Sequence, residues 1–176
     1  MIRTDEVQHI NLKIFAVAGS AIETAEAIPV FHQWIRDGVC PEMLIDVADY
    51  AHVSAGPGVL LIGHEANYSL DERENRLGLL YNRKAALDGT FQSRLAAAHQ
   101  AALAACDRLE QDASFHDKLR FDRNMIEVFV NDRLLAPNND ETWQALRPEL
   151  EKYFNGFTIA RRGEPRDLFR VSVTKK

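Results

Sequence analysis

The chain has few of the features that mark a specialised class. Its 176 residues include only two cysteines, Cys40 and Cys106. Neither forms a CxxC, so nothing points to a zinc ribbon or a thioredoxin-like centre. Apolar runs are short, Val59-Leu60-Leu61-Ile62 being typical, whereas a membrane-spanning helix needs about 20 such residues. The N-terminus is polar and lacks the apolar core of a signal peptide, so a cytoplasmic protein is the expectation. Positive charge is also in deficit. Lys plus Arg is 21 against 26 for Asp plus Glu, a formal charge of −5. No basic footprint for nucleic acid follows from that balance. The expectation is therefore no membrane and no nucleic-acid partner. The locally basic end, with Arg161, Arg162, Arg166, Arg170, Lys175 and Lys176, reads as a solvated hairpin and tail.

What the chain does contain is ordinary globular material: 46% hydrophobic and 27% charged residues, in a length that suits one domain. Residues 9–17 alternate, with Ile10, Leu12 and Ile14 on one face and Asn11 and Lys13 on the other, as a half-buried strand requires. A helix is expected over 29–37, closed by Gly38. Three strands follow at 43–53, 58–67 and 76–83, the first two joined by the short link 54–57, which permits only an antiparallel hairpin. Asp71 to Asn75 reads as the next turn. From 88 to 111 the period becomes helical through Phe91, Leu95, Ala98, Ala102, Cys106 and Leu109, with Asp88 as the expected cap. A strand at 124–130, a helix entered at Pro137 and interrupted at Pro148, and a final hairpin at 157–160 and 168–173 complete the order β-α-β-β-β-α-β-α-β-β. The fold class is α+β, a single domain over 1–176, with about three helices on a mainly antiparallel sheet. Segments 9–67 and 124–173 share the order strand, Trp-bearing helix, strand, turn, strand, a weak pseudo-repeat without residue identity.

The polar residues that stand out lie within the apolar stretch 44–71. Folding 43–67 as a hairpin with a four-residue loop pairs Val53 with Gly58. That register brings Asp49 and His64 together as diagonal neighbours on an otherwise apolar face. It also sets Asp46 opposite Glu65. An Asp–His pair is either an oriented general base or a core hydrogen bond. The two carboxylates are either bridged or solvated, or with His52 form a weak oxygen-rich metal site. His9, His32, His99 and His116 read as surface residues. The catalytic candidates are thus His64 and Asp49. The ligand-binding candidates are Tyr50, Glu65, Asn67 and Tyr81, and the weak metal candidates are Asp46, Glu65 and His52. No Gly-x-Ser-x-Gly, HExxH or EF-hand loop is present, and no cofactor is indicated. Three functions remain in play: a small-molecule-binding or interaction protein with a polar cluster on a central hairpin, an enzyme using an Asp–His pair, or a homo-oligomeric assembly protein. Apolar residues on both faces of 43–83 lead to the expectation of a homodimer.

Overall fold

A computed structural model describes residues 2–175. Eight strands form one continuous antiparallel sheet: β1 (Ile10–Ala16), β2 (Leu44–Tyr50), β3 (Gly58–Gly63), β4 (Ala66–Asp71), β5 (Gly78–Arg83), β6 (Phe121–Val130), β7 (Phe157–Arg162) and β8 (Phe169–Lys175). Their spatial order is β2-β3-β4-β5-β1-β6-β8-β7. Three helices, α1 (Ala27–Asp37), α2 (Phe91–Gln111) and α3 (Asp140–Tyr153), complete the α+β architecture. Among the described residues no helix is long and apolar enough to cross a membrane.

Two adjacent inner strands, β1 and β6, organise the topology. Each is followed by a helix that carries the chain to an outer edge, β2 or β7, from which it returns inward. One half returns through β8 alone and the other through β3, β4 and β5. The shared order of 9–67 and 124–173 is therefore a shared path, with one extra hairpin in the first half. That hairpin is a difference from the sequence expectation. The expected single strand 58–67 folds back at His64-Glu65 into β3 and β4, with Ile62 opposite Asn67. Gly63 permits this turn, because a Cβ there would lie 2.5 Å from the Ala66 carbonyl oxygen.

One face of the sheet carries the apolar half of each alternating strand. Ile10, Leu12 and Ile14 of β1, Leu79 of β5, Ile126, Val128 and Val130 of β6, and Val171 and Val173 of β8 are buried there with the helices. Helix α2 contributes the expected stripe, Phe91, Leu95, Ala98, Ala102, Cys106 and Leu109, and Ala105 beside it. Its start is Thr90 rather than Asp88. The Thr90 hydroxyl accepts from the Ser93 N–H and Ser93 Oγ accepts from the Thr90 N–H, a capping box. Gly38 closes α1 in the left-handed conformation. Helix α3 runs unbroken through Pro148. The Arg94 guanidinium, 8% exposed, donates to the carbonyls of Leu87, Gly89, Asp5 and Val7. It ties the N-terminal segment to the entrance of α2.

Candidate functional site

The expected hairpin register is not formed. Tyr50, not Val53, lies opposite Gly58, and Asp49 lies opposite Val59. The reason is local. Residues 51–57 close on themselves, with the Val53 N–H donating to the Tyr50 carbonyl and the Gly56 N–H to the Val53 carbonyl, so β2 ends early. The offset of three positions is odd, and an odd offset exchanges the two faces. Asp49 is exposed and spends one oxygen on the Ala51 N–H. His64 is exposed in the next turn, five positions along from Val59, beside Glu65 at 3.5 Å. The proposed Asp49–His64 contact is therefore absent.

The other expected groupings separate as well. Asp46 faces Ile62 rather than Glu65, beyond an irregularity between Leu44 and Asp46, and accepts from the Val47 N–H. His52 is exposed in the loop. Among the described residues no three His, Cys, Asp or Glu side chains are grouped to hold a metal ion. Tyr50 is at the sheet edge. Asn67 is half-buried and accepts from the Gly63 N–H. Tyr81 lies on the opposite, helix-covered face, where Tyr81 and Tyr68 donate to the two oxygens of Glu42 at 3.2 and 2.9 Å. Burial, reinforced by Glu42, pushes the Tyr81 hydroxyl up to about 12. Each Glu42 oxygen thus accepts one hydrogen bond from a tyrosine hydroxyl. His99 is not a surface residue: it is half-buried against Tyr153 and Phe154.

A larger set of charged groups converges on the face away from the helices. Alternation aims Asn11, Lys13 and Phe15 of β1 at this face. Lys13 is flanked by Leu80 of β5 and Glu127 of β6, and Asp71 ends β4 opposite Gly78. Gly78 opens the path between them, since a Cβ there would lie 2.8 Å from Lys13 Cε. Lys13 Nζ thus reaches Asp71 Oδ1 at 2.6 Å, with side chains 6% and 1% exposed. Burial holds the Lys13 ammonium below its ordinary value even beside this carboxylate. Burial likewise raises Glu127, against the opposing charge of Arg170.

A cavity of about 320 Å³ opens over this pair, lined by Lys13, Phe15, Asp71, Leu80, Glu127 and Phe129 below and by loop residues Arg73, Glu74, Arg133 and Asp167 around it. The loop after β4 arches across it. Glu74 reaches Arg170 of β8 at 2.7 Å, a span of four strand spacings, ~19 Å in a flat sheet. On the far side of that bridge a second hollow shares Phe15, Glu74, Glu127 and Arg170 and adds Arg76, whose guanidinium lies 3.6 Å over the Phe15 ring. Among the described residues three buried polar atoms on this face have no hydrogen-bond partner: Asp71 Oδ2, Asn11 Nδ2 and Arg170 Nε. Arg73 Nε approaches Asp71 Oδ2 only to 3.5 Å, an ion-pair distance without hydrogen-bond geometry.

Sequence reasoning missed this cluster. Lys13 reads as the solvent side of a strand, Asp71 as a turn residue and Arg170 as part of a solvated basic tail. Arg170 is instead half-buried between Glu74 and Glu127; Lys176 of that tail lies outside the described residues. The available signal was the apolar Leu-Gly-Leu-Leu-Tyr of 77–81 beside Lys13 and Glu127: polar residues in strands too central to be solvated on either face. No protein-family model matches the chain, and no curated protein matches it significantly.

Proposed function

We propose that the chain is a small-molecule-binding protein whose ligand occupies the cavity over Lys13 and Asp71. The observation that carries this reading is a buried ion pair on the sheet face that no helix covers. Such pairs are poor sources of stability, because desolvating two ions costs about what their attraction returns. Phe15, Leu80 and Phe129 could have been joined by further apolar side chains at lower cost. Instead the cavity floor holds Lys13, Asp71 and Glu127, with polar valences left open. A hollow that sets apolar side chains, here Phe15, Leu80, Phe129 and Leu168, among fixed charged groups can hold the body of a ligand and orient its polar ends.

The test is thermal denaturation against a panel of small carboxylates, phosphates, amines, amino acids and sugars at millimolar concentration. At least one compound is expected to raise the melting temperature of the wild type and not that of Arg170→Met. A panel with no such compound overturns the proposal.

One observation favours a second, compatible reading, self-association. The exposed large apolar side chains Met43, Ile45, Tyr50 and Val53 gather on and beside the edge strand β2, and an apolar edge strand is a template for pairing. The patch is at the edge, not on the second face of 43–83 as the sequence suggested. Sedimentation of wild type and Ile45→Lys checks it: a mass near 20 kDa for both at every concentration removes this reading.

A further inference from the structure

We infer that the ligand of this cavity is a zwitterion carrying its ammonium and its carboxylate at opposite ends, the ω-amino acid class. The inference rests on the binding reading above and comes from what occupies the site in the chain's own structure.

The loop after β4 lays two adjacent side chains of opposite charge across the face. Arg73 places its guanidinium 3.5 Å from Asp71 Oδ2. Glu74 places its carboxylate 2.7 Å from Arg170. The loop is thus an internal zwitterion, cation on the acidic end of the site and anion on the basic end. Neither end is completed by it. Asp71 Oδ2 and Arg170 Nε both lack a hydrogen-bond partner, and Arg73 remains more than half exposed.

The loop is also held in a costly shape. Glu74 and Asn75 have φ of +60° and +54°, the left-handed region that Glu rarely adopts. Strain of this kind is persistent only where the surroundings impose it, and it collects at switch segments and ligand clamps. A free zwitterion can replace both charges and release the loop. Its ammonium would donate to Asp71 Oδ2. Its carboxylate would accept from Arg170 Nε, with Arg133, which forms no hydrogen bond or ion pair among the described residues, on the overhanging loop. The span between would lie on Phe15, Leu80 and Phe129. An α-amino acid carries its two charges on one carbon and cannot serve both ends.

The experiment uses the full chain, ¹⁵N-labelled, titrated with 6-aminohexanoate. Norleucine, its constitutional isomer, places both charges at one end. Hexanoate lacks the ammonium and hexylamine lacks the carboxylate. The expected result is saturable shifts of the amides of Lys13 and of residues 71–76 with 6-aminohexanoate, and binding at least about tenfold weaker for each of the other three, the loss expected for one charge-assisted hydrogen bond. Glu74→Gln weakens the internal competitor and is expected to bind 6-aminohexanoate tighter than the wild type, by about 1.5-fold to fivefold, the range set by one exposed ion pair.

Equal binding of hexanoate, or of norleucine, overturns the inference while leaving a ligand site in place. Weaker binding by Glu74→Gln overturns the mimicry on which it stands. No shift with any of the four compounds overturns the ligand class, and the broader panel described above then decides separately whether the cavity binds anything.

Discussion

Removing Lys13 alone should damage the protein far more than removing Lys13 and Asp71 together. At 2.6 Å the attraction between the two charges is ~6 kcal/mol at an effective dielectric of about 20. Desolvation of the two ions offsets it by several kcal/mol for each. The pair is therefore near neutral as a unit, but either half left alone is a buried uncompensated charge. Lys13→Met leaves Asp71 1% exposed with only Arg73 nearby to compensate. That guanidinium is largely in solvent, so the expected cost is ~3 kcal/mol, the low end of the range for a broken buried pair. In Lys13→Met/Asp71→Asn the amide still offers an oxygen to the Arg73 N–H, as Asp71 Oδ1 does at 3.2 Å. Methionine follows the lysine stem over Gly78. The double variant should lie within about 1 kcal/mol of the wild type. Urea denaturation of the wild type, Lys13→Met, Asp71→Asn and the double variant closes the cycle, and the slope of each transition shows whether comparable surface is being exposed. A loss below about 1 kcal/mol for Lys13→Met would refute the reasoning, since it would mean that water reaches the pair.

The same urea experiment should show one transition, because a single sheet runs through the molecule; two separated transitions would divide it. Arg94→Ala strips the donor from four backbone carbonyls and should cost ~2–3 kcal/mol, mostly through the buried Val7 carbonyl left without its partner, measured by the same method, with a cost below about 1 kcal/mol as the failing result. Burial lowers the His99 pKa below 6.5, so the unfolded chain takes up the proton first as pH falls, and stability should decline from about pH 6.5 down through the folded value. His99→Gln should lack that component, and superimposable pH profiles would contradict it. Ala105, 2% exposed beneath α2, should resist enlargement, Ala105→Leu costing ~1–3 kcal/mol by overpacking, while Ala101→Leu, on the half-buried side of the same helix, should cost clearly less. Equal losses would mean that α2 is rotated from the position described.

Helix α2 shows what a sequence can disclose unaided. Its stripe from Phe91 to Leu109 is a local period, written by one helix against one sheet, and the structure buries those residues. Its first turn was less legible, because Asp88 and Thr90 both suit a cap and only the reciprocal bonds between Thr90 and Ser93 decide it. The hairpin at 51–57 was not legible at all. Its register depends on how a seven-residue loop closes, and a loop of four residues satisfies the same turn chemistry. That single ambiguity moved Asp49 away from His64 and Asp46 away from Glu65. The turn at His64-Glu65 was hidden for a related reason. Residues 58–67 are rich in strand formers, and only Gly63 hints at a fold-back. The site itself joins residues far apart in sequence: Lys13 and Asp71 are 58 positions apart and Glu74 and Arg170 are 96 apart. Nothing in either neighbourhood names its partner; the strand order does.

The polar face also bears on how the strand order is fixed. A strand that is buried on both sides has little to prevent a one-residue slip if both sides are apolar, because either set of side chains can then face the helices. β1 is buried along nearly its whole length, yet it places Asn11 and Lys13 on one side and Ile10, Leu12 and Ile14 on the other. A slip would drive Lys13 among the residues that face α2, away from Asp71 and Glu127. Asp71 and Glu127 on the two sides of β1 extend the constraint to β4 and β6. The ion pair therefore has two separable consequences, one for register and one for ligand. Lys13→Met/Asp71→Asn distinguishes them. If that variant keeps a single set of sharp resonances and the wild-type strand pairings while losing the response to ligand, the other alternating residues suffice for register and the charges belong to the site. If it remains stable but populates a second pairing of β1, the pair is first a device for choosing one sheet among several, as buried polar groups are in some other folds.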